Sequence, residues 1–86
     1  MKPFRWNHDK NEILKSERSI SFEEMVLAIE ADGLLDVLHH YSNLEKYLGQ
    51  FVFVISLNSY IYLVPFIEET EYYFLKTIIP SRKGTR

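Results

Sequence analysis

The chain has 86 residues, with ten lysines and arginines against twelve aspartates and glutamates, for a formal charge of −2. A chain this short buries roughly two thirds of its unfolded surface, which excludes two independent cores, a deep enclosed active site and a large multistep enzyme. A 47% hydrophobic content with only three glycines and three prolines describes a folded domain spanning residues 1–86, and the lack of cysteine excludes disulfides, thiolate metal sites and cysteine nucleophiles together.

In chain order, Phe4 and Trp6 alternate with Arg5 as a short strand, and Asn7 follows as the N-cap of a helix running to about Glu17. Only Ile13 and Leu14 are strongly apolar in that helix, so it needs tertiary contacts to hold. Ser21-Phe22-Glu23-Glu24 is a capping box, with Ile20 placed to staple onto Met25. Phe22, Met25, Val26 and Ile29 then recur at helical spacing, and Asp32-Gly33 is expected to stop the helix, with the glycine in the left-handed position. Leu34 to His39 reads as a strand and His40 to Gln50 as a loop.

Phe51–Leu57 and Tyr60–Phe66 are β-branched and aromatic runs joined by Asn58-Ser59, a two-residue hairpin signal without the usual glycine. An acidic turn, Glu68 to Glu71, precedes a last strand from Tyr72 to Ile79. The expected order is β-α-α-β-β-β-β, an α+β domain with two N-terminal helices packed on one face of a mainly antiparallel sheet. The start, MKPFRWNHDK, carries no apolar signal core, and the longest apolar stretch is broken by Ser56, Asn58, Ser59 and Pro65, so a soluble, cytoplasmic protein with no membrane partner is expected.

The net charge conceals a segregation. Residues 1–20 carry +2, residues 21–45 carry −6 with no basic residue, residues 46–75 carry −2 and residues 76–86 carry +4. Gathering like charges focuses a local potential that suits a polyanion or a charged protein partner. The terminal Arg82, Lys83 and Arg86 are suited to a phosphate, since guanidinium bonds two phosphate oxygens at once, against the plainer reading of a basic tail. Lys76 should share a strand face with Phe74 and Ile78, an odd place for a charge unless it lines a cleft. His39 and His40 end a strand, and a histidine there can move a proton in RNA cleavage, but strand neighbours point to opposite faces. No metal-ligand spacing, phosphate-cradling glycine loop or dinucleotide motif is present, so neither metal nor cofactor is expected.

Three segments together resemble a known family. Phe4-Arg5-Trp6-Asn7-His8-Asp9-Lys10-Asn11, Ile20-Ser21-Phe22-Glu23-Glu24 and Ile78-Ile79-Pro80-Ser81-Arg82-Lys83 are similar in content, order and spacing to the BrnT-type toxins of bacterial type II toxin–antitoxin pairs. The resemblance implies a RelE-like ribonuclease fold and a metal-independent mRNA endoribonuclease that inhibits translation. It also implies a ribbon-helix-helix antitoxin as partner, in a heterotetramer or larger complex that reaches operator DNA only through the antitoxin. By position, Arg82 and Lys83 fall on the family's terminal Arg-Lys and Lys10 on its N-terminal lysine, while His40, Glu45 and Lys46 lie near its His...Glu-Arg loop. Arg82, Lys83, His40 and Glu45 are thus the catalytic candidates, with Lys76, Lys10, Lys46 and Arg86 as RNA-phosphate ligands. The chain has Thr77 and Phe66 where the family commonly has arginine and histidine. That departure favours the alternative, a non-enzymatic module that only binds an antitoxin or regulator.

Overall fold

The computed structural model describes residues 1–39 and 50–81. Strand β1 (Phe4–Trp6) leads through Asn7 into helix α1 (His8–Arg18). The Asn7 side chain caps it by accepting from the Lys10 N–H at 2.9 Å, and Ser19 ends it in the left-handed conformation at φ 56°. Helix α2 (Phe22–Ala28) begins at Ser21, whose hydroxyl accepts from the Glu24 N–H at 3.2 Å.

The end of α2 departs from expectation. It runs on into a π-helical turn, Ile29–Gly33, in which Asp32, at φ 67°, is the left-handed residue rather than Gly33. Gly33 is needed for closeness instead: a Cβ there would lie 2.6 Å from the Ser56 carbonyl oxygen and 2.7 Å from that of Ala28. The backbone of the turn presses onto the sheet where no side chain fits.

Strands β2 (Leu34–His39), β3 (Gln50–Leu57) and β4 (Tyr60–Glu68) pair antiparallel in succession, with a bulge between Leu34 and Asp36. The β3–β4 turn holds both Asn58 (φ 53°) and Ser59 (φ 63°) left-handed, the geometry of a two-residue type I′ turn. The expected single last strand is split into β5 (Tyr73–Leu75) and β6 (Ile79–Pro80), both along the same edge of β4. Pro65 supplies the cause. Its carbonyl accepts from the Lys76 N–H at 2.8 Å, but it has no N–H to return, so the ladder lapses and resumes one residue out of register.

Strand β1 pairs in parallel with β5, which makes the sheet mixed although mostly antiparallel, in the order β1-β5-β4-β3-β2 with β6 beside β4. The fold is α+β, with both helices feeding one core. Leu14, Phe22, Met25 and Ile29 pack on Phe53, Ile55, Val64, Phe66, Leu75 and Ile78, and Phe53 stacks on Phe66 with ring centroids 3.8 Å apart. All the strand residues in this set point to the same side of the sheet. No helix among the described residues is long and apolar enough to cross a membrane.

Candidate functional site: an uncovered sheet face and a basic flank

Strand alternation gives the sheet a second face, and none of its residues joins the core. In register from edge to edge it carries Leu38 on β2, Val52 and Val54 on β3, Leu63, Pro65 and Ile67 on β4, Phe74 on β5 and Ile79 on β6. Most of these are half-buried, none of the described helices packs its core residues against them, and Ile79 is 43% exposed. An antiparallel sheet with one wet face ordinarily alternates apolar with polar residues, whereas here both faces are apolar. Its polar members are Gln50 and Ser56 on β3, Lys76 opposite Pro65, and the charged residues on β1 and β2. Asp36 lies on β2, accepting from the Val37 N–H at 2.7 Å, and Arg5 lies on β1, 5.4 Å over the Tyr72 ring.

The second feature is the flank where α1 runs beside the β5–β6 segment. Because β1 and β5 are parallel, with Trp6 opposite Leu75, the start of α1 and Lys76 leave the sheet at the same end. At the far end of the helix the Arg18 guanidinium donates to the Ile78 carbonyl at 3.2 Å. Lys76 is exposed and keeps the face of Phe74, since its N–H reaches the Pro65 carbonyl in the β4–β5 register, but the expectation that Ile78 shares that face is wrong: the register shift beyond Pro65 leaves Leu75 and Ile78 buried three residues apart. No hydrogen bond or ion pair joins Lys10 to Lys76. His40, Glu45 and Lys46, and likewise Arg82, Lys83 and Arg86, lie outside the described residues. Arg18 was missed in the sequence because a basic residue in the last turn of a helix is explained by the helix dipole alone.

The first amide of α2 is held by Asn11, which is 2% exposed. Its Oδ1 accepts from the Phe22 N–H at 2.9 Å and its Nδ2 donates to Glu23 at 2.7 Å. That bond is the main reason the Glu23 carboxyl titrates below its ordinary value. The asparagine of the Lys10-Asn11 pair thus locks α1 to α2. Lys2 does the same for the β4 end, bonding Glu68 at 3.0 Å and the Glu69 carbonyl at 2.7 Å, so this cation is neutralised.

Two shallow hollows lie elsewhere on the described surface. One, of about 620 Å³, lies between the N-terminal residues and Ile29, Glu30, Asp32 and Leu34. The other, of about 570 Å³, lies between α2 and the β3–β4 hairpin, where burial pushes the Tyr62 hydroxyl up and keeps it protonated. Neither brings together a nucleophile and a base. Among the described residues no three His, Asp or Glu side chains are grouped to hold a metal. Comparison with protein-family models, curated proteins and solved structures gives no match.

Proposed function

We propose that this chain is the toxin-like half of a protein pair, built on a RelE-like domain, whose action depends on binding a ribbon-helix-helix antitoxin. The uncovered apolar sheet face carries this reading. A patch of this kind on a small domain marks a protein contact, since a monomer gains nothing by leaving it in water. The reading requires a short ribbon-helix-helix protein encoded beside this one, and co-expression of the two should give a co-purifying complex of heterotetramer size or larger. Separate elution of the two chains refutes the pairing.

The basic flank favours a second activity for the same protein in the cytoplasm, metal-independent cleavage of mRNA. Arg18 and Lys76 line the segment that continues into Arg82 and Lys83, and such cations can orient a phosphate and stabilise charge while the RNA 2′-hydroxyl attacks. Induced expression should then arrest growth and shorten transcripts, and Arg82→Ala with Lys83→Ala should abolish both effects. Arrest that survives the double substitution places the chemistry elsewhere; no cleavage at any protein concentration leaves a binding module alone.

A further inference from the structure

The sheet ends in two edges of unequal length. Strand β1 at one end has three residues, whereas β2 at the other has six, Leu34 to His39, and among the described residues no backbone group pairs with its outer side. A long open edge is a template for another strand, and proteins protect such edges with short strands, proline or charge. This one has no proline and no lysine. Leu35 is 57% exposed and Val37 44%, and Asp36 stands between them as the only carboxylate of the strand.

The register fixes which backbone groups point outwards. A two-residue hairpin turn makes Leu57 and Tyr60 a hydrogen-bonded pair, and bonded pairs alternate, so Phe51, Phe53, Ile55 and Leu57 bond β4 while Val52 and Val54 bond β2. Their partners Leu38 and Asp36 therefore turn N–H and C=O inwards, and Val37 and His39 turn theirs out. The outward N–H of Val37 is already taken: it donates to Oδ1 of Asp36 at 2.7 Å. That oxygen occupies the place which a carbonyl of an added strand would fill.

We propose that Asp36 guards this edge, keeping β2 from pairing with β2 of a second copy of this chain. In antiparallel pairing about a two-fold axis at Val37, the two Val37 residues exchange N–H···O bonds and Asp36 of each copy falls opposite Leu38 of the other. Such pairing breaks the Asp36–Val37 bond in both copies and brings the two carboxylates to about 7–8 Å on one side of the sheet, each beside a leucine. A contact about 20 Å long and one strand thick buries far less than the roughly 800 Å² per side of a stable interface, so one repelled charge in each copy is enough to prevent it. With Asp36 gone, Leu34, Leu35, Val37 and Leu38 form an apolar strand free of charge and proline, a composition that pairs readily.

The role of Asp36 is independent of the pairing proposed above, since it concerns the chain alone. Sedimentation of the full chain reads the mass, and hydrogen exchange at Val37 and His39 locates the contact. The unsubstituted chain should show no association through β2, its mass unaltered by Val37→Pro. Asp36→Thr, which removes the carboxylate and keeps a strand-forming residue, should self-associate at least about tenfold more tightly, with exchange at both amides slowing as concentration rises. Adding Val37→Pro should reverse this, because proline deletes the outward N–H and costs no bond to β3; His39→Pro serves if that variant loses its native circular dichroism. Asp36→Lys should behave as the unsubstituted chain, since a charge of either sign protects an edge.

Asp36→Thr that associates no more than the unsubstituted chain overturns the proposal, because the edge is then closed by something other than this carboxylate. So does an unsubstituted dimer that Val37→Pro dissolves, since the edge is then in use rather than guarded. Association of Asp36→Thr that survives Val37→Pro, with exchange at Val37 and His39 indifferent to concentration in the single variant, also overturns it, because the contact then lies elsewhere.

Discussion

Replacing Asn11 with alanine tests how the two helices are joined. The side chain is almost wholly buried and makes two bonds at 2.7 and 2.9 Å, one satisfying the Phe22 amide at the start of α2 and one to the Glu23 carboxylate. Alanine leaves the Phe22 N–H unpaired in the interior, a loss of about 1–3 kcal/mol, and removes a bond to a charged acceptor besides. The Glu23 end is exposed, so water replaces that bond at little cost. The expected total is about 2–3 kcal/mol, which in a domain of this size lowers the midpoint of thermal unfolding by roughly 10–20 °C.

Urea unfolding followed by circular dichroism measures it, with Glu23→Gln as the control that keeps an acceptor and should cost under about 1 kcal/mol. The pH dependence gives a second reading. Because the Glu23 carboxyl is held below its ordinary value, its contribution is present above that value and fades as pH falls through the lowered one. Asn11→Ala should remove most of this acid-side loss. A cost under about 0.5 kcal/mol for Asn11→Ala, with the acid profile unchanged, refutes the idea that Asn11 joins the helices.

Gly33→Ala should destabilise by about 2 kcal/mol or more in the same assay, because the added Cβ meets two backbone carbonyl oxygens that no rotamer change can move aside. Ser59→Gly should stabilise by about 0.5–1 kcal/mol, since its φ of 63° is free of strain only for glycine; a loss of stability contradicts the turn geometry. Phe53→Ala, at the centre of the core, should cost about 3–5 kcal/mol, whereas Val54→Ala beside it on the open face should cost about 1 kcal/mol or less. Similar costs for the two would mean that the second face is already covered.

Much of the fold was legible because its signals are local. The caps at Asn7 and Ser21 are side-chain to backbone bonds spanning three residues, and the Asn58-Ser59 turn sits between two runs of clear strand composition. The break in the last strand was not legible, because its cause, Pro65, lies on the neighbouring strand and acts through a missing hydrogen bond. The same holds for Gly33, whose necessity comes from Ser56 across the sheet, and for Asn11, whose partners follow it by eleven and twelve residues. Of the site, the basic character of the two ends could be counted, and the parallel β1–β5 pairing brings the start of the chain beside the strand that leads to its end. The uncovered face could not be read in advance. Near-continuous apolar strands such as Phe51–Leu57 are what a sheet covered on both sides shows, and only the placement of both helices on one side reveals that no described helix covers the other.

The central claim is that this face meets another protein. Hydrogen exchange on the chain alone and in complex with the proposed ribbon-helix-helix partner, with the complex mass read by sedimentation, tests it most directly. The account predicts a complex in which β3, β4 and β5 gain protection and in which Val54→Glu with Ile67→Glu abolishes assembly while the free chain keeps its native spectrum. A complex that forms equally well with those substitutions, protecting only the helical side, contradicts it.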